Sequence, residues 1–173
     1  MTKSLDGLVF TFDMFDSMYP DATFLSLVRN GLAVCEGFVR RGVNAESVGH
    51  LYRTTVRKMI NSSKESDKYH LFLYEDMVKD PLEFMSVIYG AAELNTEPVQ
   101  KIRLQSKGIM QADGKRIHIK GKDREVFWHD KTDVHNFVKS DINDNQIAQL
   151  KPKDRDKFLS VAGDVMEELG YID

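Results

Sequence analysis

Residues 69–81 read YHLFLYEDMVKDP and combine a short apolar strand, a polar turn and the start of a helix. A second stretch of the same kind, YPDATFLSLVRN, spans residues 19–30. Continuous apolar runs of this length are typical of buried parallel strands. In open α/β sheets, ligands bind where the carboxyl ends of such strands meet. The two stretches therefore predict parallel strands over 23–28 and 69–74, with a ligand site at their carboxyl ends.

Helix signals follow both strands and recur toward the end of the chain. Asn30, Asn44 and Asp80 stand at positions where a short polar side chain caps a helix, and Gly170 is placed to end the last one. The predicted helices cover about 31–41, a longer segment after Asn44, about 81–92 and about 153–169.

Strands that alternate with helices predict an α/β fold. We expect a single domain over 1–173, with a short, mostly parallel sheet and helices on both faces. Residues 7–12 are compatible with a strand or with the start of a helix, because the run is too short to decide. Asp113-Gly114 predicts a hairpin turn, and a short helix is expected after Thr96.

Composition limits the classes of partner. The chain has 173 residues, of which 42% are hydrophobic and 29% charged, as in an ordinary globular domain. Its net charge of −3 argues against a nucleic-acid partner. The single cysteine, Cys35, cannot form an internal disulfide, which is typical of a reducing compartment. With neither a signal peptide nor a membrane span expected, the sequence predicts a cytoplasmic protein.

The strand ends carry the residues that suggest chemistry. Arg29 follows the first strand immediately before a helix, where free backbone N–H groups and a planar guanidinium suit a phosphate. Alternatively, Arg29 pairs with a local carboxylate such as Asp21. Tyr74 ends the second strand and either contacts a ligand or packs, while the following Glu75-Asp76 either holds the loop or pairs with a base. The basic segment 106–125 either closes over an anion or is solvated.

These residues resemble a known family, the sulfotransferases that use 3′-phosphoadenosine 5′-phosphosulfate. Residues 20–30 look like the strand that leads into the family's 3′-phosphate motif, and 73–81 resembles its Tyr-Glu-Asp-Leu segment followed by Asp-Pro and a helix. Residues 106–110 are weakly similar to its Ser-Phe-x-x-Met stretch, and 150–171 to its closing helix and terminal Gly-Tyr. The resemblance implies a truncated P-loop-type sulfotransferase fold.

The resemblance also implies roles for particular residues. Arg29, with Asn30 beside it, would bind the 3′-phosphate of the donor, and Tyr74 would lie near its adenine. The second phosphate ligand of the family is a serine eight positions after the arginine, and that position is Gly37, next to Glu36. Three further residues are candidates for contacts with the donor: Ser106, Lys120 and Lys122.

The implied activity is transfer of a sulfonate group to a hydroxyl or amine of a small-molecule or glycan acceptor. The family's loop for the 5′-phosphosulfate, with its lysine, is not recognisable in this sequence, and no histidine precedes His50. The expectation is therefore a fragment of a longer protein or a reduced family member. The sheet edge that this would uncover favours a homodimer.

Two other functions remain open. Residues 7–17 resemble the first motif of haloacid-dehalogenase-like phosphatases, in which Asp13 would be the nucleophile and Asp16 an acid. Alternatively, the chain is a non-catalytic nucleotide- or anion-binding module that keeps the sheet and the Arg29 site without the chemistry.

Overall fold

The structure is a computed structural model that describes residues 6–95, 100–105, 109–110, 116–117, 126–136, 138 and 140–173. A 3₁₀ helix covers Asp6–Thr11, and a second short one covers Val134–Asn136. The other elements, in chain order, are α1 (Phe12–Met18), β1 (Phe24–Val28), α2 (Gly31–Val39), α3 (Ala45–Glu65), β2 (Tyr69–Leu73), α4 (Tyr74–Lys79), α5 (Pro81–Ala91), β3 (Ile102–Gln105), β4 (Ile109–Met110), β5 (Arg116–Ile117), β6 (Val126–His129), α6 (Ile142–Ile147) and α7 (Pro152–Glu168).

The predicted parallel pair of strands is confirmed, and with it the α/β class. β1 and β2 run parallel, in register from Phe24 opposite Tyr69 to Val28 opposite Leu73. β2 ends one residue earlier than predicted, so that Tyr74 is the first residue of α4. The strands point their carboxyl ends at the N-terminus of α2 and at α4.

The predicted short parallel sheet is present as β1 and β2, but the described parts of the chain also contain two separate antiparallel pairs, β3 with β6 and β4 with β5. These strands have only two to four residues each, too few for a period of two to stand out from the sequence. The predicted turn at Asp113-Gly114 and the helix after Thr96 fall on residues outside the described ranges.

The ambiguous segment near the start of the chain is helical. Val9 and Phe12 are both buried, three residues apart, which places them on one side of the helical segment. The Phe12 ring packs edge-on against Phe24 and Tyr69, with centroid distances of 4.9 Å to each. This aromatic contact holds the segment against the amino ends of the parallel strands.

The predicted caps are confirmed at each position. The Asn30 side chain accepts a hydrogen bond from the Leu32 backbone N–H at 3.0 Å, Asn44 accepts one from Glu46 at 2.8 Å, and Asp80 accepts one from Glu83 at 3.1 Å. Gly170 ends the last helix with a φ of 73°, a conformation that favours glycine.

The main core lies between α2, α3 and α7 and is closed by the parallel strands. Its central side chains, all fully buried, are contributed by α2 and α7: Cys35, Phe158, Ala162, Val165 and Met166. Gly31 starts α2 directly on this core, because a Cβ there would lie 2.7 Å from both Met166 Sδ and Phe158 Cζ. The close approach anchors the residue that follows Asn30 and thereby fixes the position of Arg29.

No helix within the described parts of the chain is both long enough and apolar enough to cross a membrane.

Candidate functional site

Arg29 and Tyr74, the two residues predicted to share a ligand site, lie side by side. The Arg29 guanidinium carbon is 4.8 Å from the centroid of the Tyr74 ring, in cation–π geometry. The parallel pairing of β1 and β2 causes this contact, because it brings the two carboxyl ends to the same edge of the sheet. The predicted juxtaposition is therefore present.

Neutral amides from α6 hold the Arg29 guanidinium. Its Nε donates a hydrogen bond to Asn143 Oδ1 at 2.8 Å, and its Nη2 donates one to Gln146 Oε1. The alternative of a pair with Asp21 is not what the structure contains. Nη1 makes no hydrogen bond within the described residues. The arginine is thus fixed in position, and no carboxylate in the described parts of the chain directly neutralises its positive charge.

Glu75 ties the ends of both strands and the end of the chain together. It accepts hydrogen bonds from the Asn30 backbone N–H at 3.0 Å, from the Tyr171 hydroxyl at 2.6 Å and from Asn143 Nδ2. Burial, followed by this hydrogen bond and the charge of Glu75, raises the pKa of Tyr171. Tyr171 therefore stays protonated and donates. Of the two roles predicted for Glu75, holding the loop is the one the contacts match.

A second tyrosine supports the site from the core. The Tyr52 hydroxyl donates to the Arg29 backbone carbonyl at 2.9 Å. Burial raises the pKa of Tyr52, and the negative charge of Glu75 raises it further. A residue of α3 therefore fixes the backbone of Arg29, while two residues of α6 fix its side chain.

Glu36, the residue next to Gly37, is bound by two other side chains of the protein. Glu36 is 5% exposed, accepts a hydrogen bond from Gln146 Nε2 at 3.0 Å and forms an ion pair with Arg40, whose Nε lies 3.0 Å from its carboxylate. A Cβ on Gly37 would meet only Gln146 Nε2, at 3.9 Å, so the position has room for a larger residue. Gly37 itself brings no donor to the site, whereas the negative charge of Glu36 is balanced by Arg40.

The remaining predicted site residues contribute less or fall outside the description. Asn30 uses its side-chain oxygen to cap α2 and its backbone N–H to bind Glu75, so both groups are engaged within the protein. Ser106, Lys120 and Lys122 lie outside the described residues. The prediction for the basic segment 106–125, which either closes over an anion or is solvated, falls largely on residues outside the described ranges.

Asp13 and Asp16, the residues of the phosphatase alternative, both lie in the helix α1. Asp13 has a side chain that is 71% exposed and contacts Lys58 Nζ at 3.0 Å, and Asp16 contacts Lys68 Nζ at 3.1 Å. Each aspartate therefore forms an ion pair with a lysine at the protein surface.

Sequence reasoning missed the α6 amides. Asn143 and Gln146 are three residues apart, so they share one side of a short helix. A pair of amides at this spacing is a weak signal, because it gives no indication of the arginine that it meets more than a hundred positions away. The thiol of Cys35 is fully buried in the main core, and this burial raises its pKa to about 11.

Comparison with protein-family models, with curated proteins and with solved structures gives no match to this chain.

Proposed function

We propose that this chain is a sulfotransferase-like protein that binds the 3′-phosphoadenosine part of 3′-phosphoadenosine 5′-phosphosulfate at Arg29 and Tyr74. The activity class is transfer of a sulfonate group to a hydroxyl or amine of a small-molecule or glycan acceptor. The fold in this proposal is the truncated P-loop-type sulfotransferase fold to which the sequence motifs are similar.

One observation carries the proposal: among the described residues, Arg29 is held by two neutral amides and a tyrosine ring and not by a carboxylate. An arginine that serves only packing is most stable when its charge is paired. Here the guanidinium keeps its charge and its Nη1 donors at the carboxyl ends of two parallel strands, beside the N-terminus of α2. Guanidinium groups in this arrangement suit a phosphate.

The charges around the site support a single phosphate. Two acids that contact the groups around Arg29 have partners of their own: Glu75 accepts hydrogen bonds from Asn30, Asn143 and Tyr171, and Glu36 accepts one from Gln146 and is ion-paired with Arg40. Their repulsion of an incoming phosphate is reduced for that reason, most of all at Glu36, which is paired with Arg40. The Tyr74 ring, already in contact with the guanidinium, offers a flat surface on which an adenine can stack.

Thermal unfolding with two ligands tests the binding. We expect 3′,5′-diphosphoadenosine to raise the Tm, and adenosine 5′-monophosphate, which lacks the 3′-phosphate, to raise it much less. Arg29→Ala should remove the difference between the two ligands, because a charge-assisted phosphate contact is worth about 1.5–3 kcal/mol. Arg103→Ala, which removes an exposed arginine from the separate β3–β6 pair, is the matched control.

The outcome that contradicts the proposal is an equal shift with both ligands, or no shift at millimolar 3′,5′-diphosphoadenosine. Transfer is measured separately, as formation of 3′,5′-diphosphoadenosine from the donor in the presence of a panel of hydroxyl and amine acceptors. Binding without product in that assay assigns the chain to the alternative, a nucleotide-binding module without catalysis.

A further inference from the structure

We propose that Gln146 is a second anion-binding residue of the Arg29 site, and that its amide N–H donates to the same phosphate as the guanidinium. The inference rests on the function proposed above and names a further contact of that ligand. It starts from the position of the Gln146 side chain, which contacts Arg29 through one end of its amide and Glu36 through the other.

The two contacts fix which way the Gln146 amide points. Its Oε1 accepts a hydrogen bond from Arg29 Nη2, and its Nε2 donates one to Glu36 Oε2 at 3.0 Å. A guanidinium can only donate and an ionised carboxylate can only accept, so the reversed amide would lose both hydrogen bonds. The donor end of the Gln146 amide is therefore directed toward α2.

The Gln146 amide nitrogen has a hydrogen left for a ligand. Nε2 carries two hydrogens, and within the described residues it donates one of them, to Glu36. The space next to it is open, because a Cβ added to Gly37 would meet, apart from the backbone around it, only Nε2 itself at 3.9 Å. Gly37 and Gln146 are both half-buried, so a phosphate oxygen can reach this N–H from solvent.

The charges on the two sides of the Gln146 amide suit an anion. The Glu36 carboxylate is already paired with Arg40, whose Nε lies 3.0 Å away. On the other side, no carboxylate among the described residues pairs with Arg29. A phosphate bound to this guanidinium therefore has a neutral donor beside it, and the acid behind that donor is compensated.

Asn143 provides an internal comparison, because it joins the same arginine to another acid. Its Oδ1 accepts a hydrogen bond from Arg29 Nε at 2.8 Å, and its Nδ2 donates one to Glu75. Asn143 is only 7% exposed, however, whereas Gln146 is half-buried. Asn143 is therefore a positioning residue, while Gln146 both positions the guanidinium and offers a donor to the ligand.

The side-chain amide signals of Gln146 test this contact in the unaltered chain. In ¹⁵N-labelled protein, we expect 3′,5′-diphosphoadenosine to move one of the two Nε2 proton resonances downfield, and adenosine 5′-monophosphate to move it much less. The moved proton should also show scalar coupling to phosphorus across the hydrogen bond, which a residue that only positions Arg29 would not show. The proposal is overturned if neither proton moves while the Arg29-dependent rise in Tm is present, and the proposed function then stands without it.

Two variants separate binding from positioning, because each takes one acceptor away from Arg29. Gln146→Met should lower the affinity for 3′,5′-diphosphoadenosine about tenfold, since it also removes a hydrogen bond to the phosphate. Asn143→Leu, the matched control, should lower it by no more than about threefold. Equal losses would overturn the proposal and leave binding at Arg29 intact, whereas a parent chain that binds neither nucleotide overturns the proposed function and this contact together. If Asn143→Leu does not fold, the proton shifts of the parent chain decide.

Discussion

Arg29 differs from the surface arginines Arg53 and Arg57 in the kind of side chain that holds its guanidinium. Arg29, at the carboxyl ends of the parallel strands, is bound by the amides of Asn143 and Gln146. Arg53 and Arg57, on the outer surface between α3 and α7, bind Asp164 directly, with the Arg53 Nε and Arg57 Nη2 at 2.9 and 2.8 Å from its carboxylate oxygens.

Carboxylates neutralise the charges of Arg53 and Arg57, whereas the hydrogen bonds of the Arg29 side chain to described residues go to neutral amides. Glu168 extends the surface network by accepting from Arg57 and from Lys64 Nζ at 2.7 Å. Hydrogen bonds from Arg53 and then from Arg57 lower the pKa of Asp164 to about 2. At Arg29 the carboxylates of Glu75 and Glu36 bind the amides of Asn143 and Gln146, and it is these amides that contact the guanidinium. Arg53 and Arg57 of α3 thus dock against the carboxylates of α7, while within the described residues the charge of Arg29 is not paired with a carboxylate.

The largest effect is expected from removing Glu75, which accepts hydrogen bonds from three groups near the ends of the parallel strands. Glu75→Ala leaves the Asn30 N–H, the Tyr171 hydroxyl and the Asn143 amide without their acceptor in a partly buried place. We expect the free energy of unfolding to fall by about 3 kcal/mol in urea titrations. Glu65→Ala, at the exposed end of α3, is the control and should change it by less than about 0.5 kcal/mol. A loss below about 1 kcal/mol for Glu75→Ala would show that the group is not structural.

The next test gives Arg29 a carboxylate partner of the kind that Arg53 and Arg57 have. Gln146→Glu places a carboxylate against the guanidinium, which then competes with a phosphate and also faces Glu36. We expect affinity for 3′,5′-diphosphoadenosine to fall at least about tenfold, or about 1.4 kcal/mol, in calorimetric titrations. Gln149→Glu adds the same charge to an exposed position just after α6 and should leave the affinity within about twofold. Equal losses in both variants would mean that only net charge matters.

Gly37→Ser tests the same site by gain instead of loss. The position has room for the hydroxyl, since the nearest atom to an added Cβ is Gln146 Nε2 at 3.9 Å. If the 3′-phosphate binds at Arg29, a hydroxyl here adds a donor, and affinity should rise about fivefold, or about 1 kcal/mol. Gly37→Ala provides the Cβ without the hydroxyl. An increase with alanine as large as with serine would contradict a role for the hydroxyl.

The smallest effect is expected at the surface network. Asp164→Asn should cost less than about 1 kcal/mol at pH 7, because the pairs are exposed and screened. The folded pKa of Asp164, about 2, is below its ordinary value of 3.8, so its contribution is present above that value and is lost as the pH falls toward 2. Urea titrations across this window should therefore show a shallower decline for the variant. A decline as steep as in the parent chain would assign the acid sensitivity to other carboxylates.

Local signals predicted much of the fold. The apolar runs before Arg29 and Tyr74 identified both parallel strands, and the caps at Asn30, Asn44 and Asp80 identified the helices that follow. The segment before Asp13 could not be assigned, because its helical form depends on Phe12 packing against Phe24 and Tyr69. The β3–β6 pair was missed for a related reason, since strands of four residues carry no readable period, whereas the hairpin turn predicted at Asp113-Gly114 stands in the sequence between β4 and β5, which pair antiparallel.

Only one part of the candidate site was predicted from the sequence, the meeting of Arg29 and Tyr74. Arg29 and Tyr74 follow strands of the same type, and parallel pairing requires that their ends meet, so their proximity is a consequence of the sequence pattern. The amides that hold Arg29 come from α6, and the hydroxyl that holds Glu75 comes from Tyr171 near the end of the chain. No periodicity or motif relates side chains separated by such distances in sequence.

The sequence by itself determined where the strands, helices and caps lie, because these depend on neighbours within a few residues. Only the tertiary structure decided the state of Arg29. Gly31 lets α2 pack directly on Met166 and Phe158, and the packing of α6 beside α2 brings Gln146 to both Arg29 and Glu36. Charge compensation is a property of three-dimensional neighbours, and for that reason the tertiary structure alone showed that Arg29 meets amides instead of a carboxylate.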